Sequence, residues 1–139
     1  MSESRNAPPG EDELRPLREW LTEFQGRVRA VDFKGARPLC APGLVAFGTL
    51  VTAAVGLDQV VEAQWRPIWP KIRDFTIRVA ECHGAASADQ AWVAAPWDSL
   101  GVREDGSTFA RPGRPTIILE RRDGRWVATH THVSLAPDQ

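Results

Sequence analysis

The stretch ERRDGRWVATHTHVS, Glu120 to Ser134, sets two histidines one residue apart, His130 and His132, on a segment patterned as a strand. Imidazole titrates nearest neutrality of all side chains, so a same-face pair suits a general base or a metal site. Zinc, however, needs at least three protein ligands. The remaining histidine is His83, expected in a turn, and the two cysteines, Cys40 and Cys82, stand far apart with no CxxC spacing. No metal and no cofactor are therefore expected, and the cysteines read as buried free thiols. To act as bases, His130 or His132 would have to face a pocket. Asp98, which follows Trp97, is the other candidate base, near a pocket entrance; its plainer role is to cap the turn DSLG.

These residues need elements to position them. Leu14, Leu17, Leu21, Phe24, Val28 and Val31 recur at three- and four-residue steps, one face of an amphipathic helix. Pro16 fits that helix only in its first turn. Asp32 then reads as the N-cap of a short second helix running towards Leu39. APG at 41–43 ends it, and LVAFG is a short buried strand. A third helix is predicted from Leu57, with Leu57, Val61 and Trp65 on one stripe and Pro67 and Pro70 as its stop. From Arg73 the period changes from 3.6 to 2. DFTIRVAEC and AWVAAPWDSL are strands, with HGAASADQ as the turn between them and a bulge or edge at Pro96. GVREDGSTFARPGRP is a loop or irregular pairing. TIILERR and RWVATHTHVSL form a hairpin about Asp123-Gly124. Helices first and antiparallel strands after make an α+β fold, helices on one face of a curved sheet.

The chain has 139 residues, the size of one domain, and 42% hydrophobic residues, enough for a core. Lys plus Arg total 17 against 18 acidic residues, so no charge excess calls for nucleic acid or a membrane surface. The longest apolar run, LVAFGTLVTAAVGL, is broken by Gly48 and Gly56 and is no spanning helix. Residues 1–12 are polar and rich in Pro and Gly without a signal-peptide core, so a disordered leader on a cytoplasmic protein is expected, with a single domain over residues 13–137. Six tryptophans and no tyrosine mark the composition, and several should line a core, a pocket or an interface. Arg111, Arg114, Arg121, Arg122 and Arg125 gather about the hairpin, an ordinary solvated edge or a weak anion-binding rim.

The element order, the motif REWLTEF and the ending GRPTIILERRDGRWVATHTHVSLAP resemble the SnoaL-like members of the nuclear transport factor 2 superfamily, over Leu14 to Pro137. The hairpin RRDGRW followed by His-x-His-x-Ser is also similar to the association domain of a calmodulin-dependent kinase. The resemblance implies a nuclear transport factor 2-like cone: three helices fold over a strongly bent sheet and leave a pocket open at one end. Members commonly dimerise through the outer face of the sheet. The fold hosts isomerases, dehydratases, cyclases, hydrolases and non-catalytic binding or hub modules, so fold does not decide function. Ketosteroid isomerase chemistry is excluded. Its acidic base, tyrosine and protonated acid match Phe47, Trp20 and the stretch Ile117 to Leu119, none of which can do that work.

Strand alternation puts His130 and His132 on one face with Trp126, Ala128 and Ser134, and Val127, Thr129, Thr131 and Val133 on the other. A two-residue Asp-Gly turn would add Ile117 and Leu119 to the histidine face. A three-residue loop with Gly124 in a bulge would add them to the other. The second option makes a coherent apolar concave face, and the resemblance implies that positions 117 and 133 line the pocket. The histidines are therefore expected outside, in a dimer contact with Ile118 and Trp126. The leading expectation is a cytoplasmic homodimer whose pocket, lined by Trp20, Phe24, Phe47, Trp69, Leu119, Thr129 and Thr131, binds a small apolar molecule. The alternatives are a SnoaL-like lyase, isomerase or hydrolase using Asp98, His130 or His132, and a non-catalytic assembly module.

Overall fold

The computed structural model describes residues 10–137. Residues 1–9, most of the expected leader, lie outside the described residues. Glu11 and Asp12, counted with that leader above, instead open the first helix.

Helix α1, Glu11–Arg29, buries Leu14, Leu17, Trp20, Leu21 and Val28 along one stripe. Pro16 sits in its second turn rather than its first, and forfeits one backbone hydrogen bond there. Asp32 caps helix α2, Phe33–Ala36, its carboxylate accepting the Gly35 N–H at 2.8 Å; a 3-10 turn, Arg37–Leu39, follows. Helix α3 spans residues 57–71: an α-helical start (Leu57–Val60), a π turn (Val61–Trp65), a further α turn (Arg66–Ile68) and a 3-10 exit (Trp69–Lys71). Pro67, expected as a stop, is carried inside it. In the π turn the Arg66 N–H reaches back five residues to the Val61 carbonyl. This wider turn shifts the carbonyls that a proline ring would strike.

The strands are β1 Cys40–Phe47, β2 Ala54–Val55, β3 Ile72–Ile77, β4 His83–Ala86, β5 Gln90–Ala94, β6 Trp97–Val102, β7 Thr108–Ala110, β8 Gly113–Arg122 and β9 Arg125–Leu135. They form one curved sheet ordered β2-β1-β9-β8-β5-β4, while β6 joins β8, β3 and β7. β1 and β9 run parallel, and the other pairs are antiparallel. HGAA, expected within a turn, pairs with β5 as strand β4. AWVAAPWDSL is two strands, because Pro96 interrupts the ladder and its carbonyl accepts from Arg78 N–H instead.

The last hairpin unites features of both anticipated geometries. Arg122 faces Arg125 across a two-residue turn, with Asp123 at φ 51° and Gly124 at φ 74°. Both positive angles belong to the turn type that matches strand twist. The parity is then reset further along: Leu119 pairs with Ala128 but Ile118 with His130, leaving Thr129 as an extra residue. Its hydroxyl donates to the Ile118 carbonyl at 3.3 Å. Directly opposed residues share a face, so the bulge divides β9. Trp126 and Ala128 join Thr131 and Val133 towards the helices, and His130 and His132 point away with Ile118 and Thr116. Trp126 therefore does not share the outer face with the histidines. It lies on the helix side, beneath the Arg121 guanidinium at 4.7 Å and beside Trp20 and Leu39.

Candidate ligand-binding cavity

Between the helices and the sheet lies a cavity of about 90 Å³. Its helical wall follows from spacing: Trp20, Phe24 and Val28 fall at successive turns of α1, and Trp65, Ile68 and Trp69 face them from α3. Trp20 stacks on Phe24 with ring centroids 5.2 Å apart, and Trp65 stacks on Trp69 at 4.6 Å. Phe24 meets Trp69 edge-on at 5.8 Å, joining the two stacks into one aromatic wall. The Trp20 indole N–H is satisfied by the Leu39 carbonyl at 3.0 Å, so the ring offers the cavity only its apolar surface. The sheet supplies Leu44, Pro115, Ile117, Thr131 and Val133, with Phe75 and Trp97 completing the apolar lining. Gly113 is required where it is: a Cβ there would run into the Trp97 indole.

The polar groups gather at one end. Arg111, half-buried, donates from its guanidinium to Thr49 Oγ1 at 2.7 Å. Its backbone is fixed by Ser99, whose carbonyl and hydroxyl both engage it: Arg111 N–H donates to the Ser99 carbonyl, and Ser99 Oγ donates to the Arg111 carbonyl, each at 2.8 Å. Burial holds the guanidinium below its ordinary pKa, though still charged. Gln64, carried inward on the π turn, is 9% exposed, and its Nε2 has no hydrogen-bond partner among the described residues. Cys40 also lines the cavity, and burial pushes its thiol up to about 12.

Residues 17–139 match the model of the SnoaL-like domain family. The chain belongs to that family. None of the curated proteins compared matches it. Among solved structures, the SnoaL-like domain superposes on a nuclear transport factor 2-like superfamily protein from Salmonella enterica with TM-score 0.78 and 16% identity, covering 92% of this chain and 94% of that one. It is similar to a ketosteroid isomerase-like protein from Erwinia carotovora (TM-score 0.76, 17% identity, 93% and 100% covered). It is also similar to a nuclear transport factor 2-like protein of unknown function from Pseudomonas putida (TM-score 0.71, 22% identity, 96% and 92% covered). At these identities the likeness establishes the fold.

Of the residues expected in the pocket of this SnoaL-like domain, Trp20, Phe24, Trp69 and Thr131 line the cavity. Phe47, Leu119 and Thr129 do not. Phe47 is 40% exposed on the far side of the sheet, edge-on to His130 at 5.1 Å and His132 at 5.7 Å. Leu119 is sealed within the core opposite Ala128, and Thr129 is consumed by the bulge. The candidate bases lie elsewhere. His130 Nδ1–H donates to the Val45 carbonyl at 2.8 Å on the outer face. Asp98 is half-exposed in a two-pronged pair with Arg78, at 2.9 and 3.0 Å, and the guanidinium holds its carboxyl below the usual range. No group of three metal-ligating side chains occurs among the described residues. Gln64, Thr49 and Ser99 were not anticipated, and Arg111 was grouped with the hairpin arginines as an ordinary solvated edge or a weak anion-binding rim.

Proposed function

We propose that this SnoaL-like domain binds a small, largely apolar molecule between the tryptophan wall of α1 and α3 and the concave side of β8 and β9. The observation that carries the reading is the composition of the lining: tryptophan, phenylalanine and aliphatic side chains dominate it, with polar groups at one end and no Asp, Glu or His among its described residues. Such a lining supplies affinity and orientation. Acid–base catalysis needs a titratable group within reach of the substrate, and Asp98, His130 and His132 stand outside the cavity. At about 10–15 Å³ of such volume per water, the cavity has space for about six to nine water-sized groups, which sets the size of the ligand.

Titration with 1-hexanol, followed by the fluorescence of the lining tryptophans, tests the reading. Saturable quenching is expected, and Thr131→Phe, which fills the cavity from β9, should abolish it without unfolding the protein. Quenching unchanged in Thr131→Phe would place the ligand elsewhere.

A specific observation also favours self-association. On the outer face, Trp92, Ile118, His130 and Val45 stand in one cross-strand row, with Thr116, His132 and Phe47 in the next. Trp92 is 45% exposed there. Exposed aromatic rings such as Trp92 and Phe47, set beside Ile118 and the histidines, suit a subunit contact, so a homodimer through this face belongs to the proposal.

A further inference from the structure

The polar end of the cavity has a specific chemistry. Arg111 brings a full positive charge to an apolar cavity, and among the described residues its guanidinium engages the neutral Thr49 hydroxyl but no carboxylate. A desolvated cation without a counter-charge is costly. Gln64 adds a second unmet demand, a buried amide donor with no acceptor among the described residues. The two belong to one end of the cavity, because consecutive residues join them. Gly48 packs so closely on the Gln64 amide that a Cβ would lie 2.5 Å from Nε2, and Thr49 takes the Arg111 hydrogen bond.

We propose that the ligand is a small apolar monocarboxylate, its tail against the tryptophan wall and its carboxylate held by Arg111 and Gln64. This rests on the ligand-binding reading and names the class of ligand. A carboxylate carries one negative charge and planar acceptors that suit a guanidinium fork, and it can accept from an amide N–H at the same time. A phosphate, with roughly twice the charge, would meet a single cation here. The apolar remainder of the cavity leaves space for a short aliphatic chain or one ring.

The test compares hexanoate with 1-hexanol at pH 7, read by tryptophan fluorescence on the whole protein. Charge-assisted hydrogen bonds are the stronger kind, so hexanoate should bind about tenfold or more tightly than hexanol. Arg111→Gln should remove about tenfold or more of the hexanoate affinity while shifting that of hexanol by less than about threefold. Gln64→Leu should weaken hexanoate and strengthen hexanol. Equal binding of the two by wild type, or tighter binding of hexanol, overturns the carboxylate inference and leaves the apolar-pocket reading standing. Binding of neither overturns both. The wild-type comparison decides the matter even where a variant fails to fold.

Discussion

At the scale of single residues, burial and pairing set the chemistry. The Cys40 thiol, raised to about 12, holds almost no thiolate at pH 8, and thiolate is the reactive form. Peptide mapping after iodoacetamide at pH 8 should find Cys40 unmodified in the folded protein and modified after unfolding; rapid labelling of folded protein would contradict its burial. Asp98 makes a second case. Its folded pKa lies below its ordinary 3.8 through Arg78, so the stability it lends is fully present above about pH 4 and fades as pH falls through the lowered folded value. Wild type should therefore melt above Asp98→Asn at neutral pH, the two curves should converge in acid, and ligand binding should be the same in both. Loss of binding in Asp98→Asn would favour a role in the site. Trp20, Phe24 and Trp69 were legible in sequence because helical spacing marks the buried stripe. Arg111 was not. Its string RPGRP reads as a solvated edge or a weak anion-binding rim, and only contacts with Thr49 and Ser99, distant in sequence, turn it inward.

At the scale of elements, caps and tight turns were readable, and arrangements set by several partners at once were not. The cap at Asp32 and the turn at Asp123-Gly124 depend on neighbours alone. The bulge at Thr129 depends on β9 satisfying β8 and β1 together, one antiparallel and one parallel, and it moved Trp126 and Thr129 from their expected places. Two substitutions probe this hairpin. Leu119→Ala deletes a fully buried side chain and should cost about 2–5 kcal/mol in urea unfolding. Gly124→Ala imposes a Cβ on a left-handed position and should cost roughly 1–2 kcal/mol. A Leu119→Ala protein as stable as wild type would contradict the core position of β8. The π turn in α3 likewise escaped sequence reading, since Pro67 alone argues for a stop. It is also the device that turns Gln64 and Trp65 into the cavity.

At the scale of the whole molecule, the α+β class and its curved sheet were legible from element order, because segregated helices and strands allow few arrangements, while the cone was implied by the family resemblance. What each face of the sheet serves was set by the bulge. Among the described residues, no helix is long and apolar enough to cross a membrane. The outer row of Trp92, Ile118 and His130 predicts a dimer in sedimentation velocity that Trp92→Glu converts to monomer, with ligand binding retained on the opposite face. A Trp92→Glu protein that sediments unchanged would remove that face from the interface. The central claim concerns the cavity, and native mass spectrometry of the protein equilibrated with excess hexanoate and 1-hexanol addresses it most directly. Each protomer should carry one added molecule of about 100–150 Da, a mass that fits six to nine non-hydrogen atoms, lost on denaturation and absent in Thr131→Phe. Protomers that stay bare, or that take up the same mass in Thr131→Phe, would contradict the account.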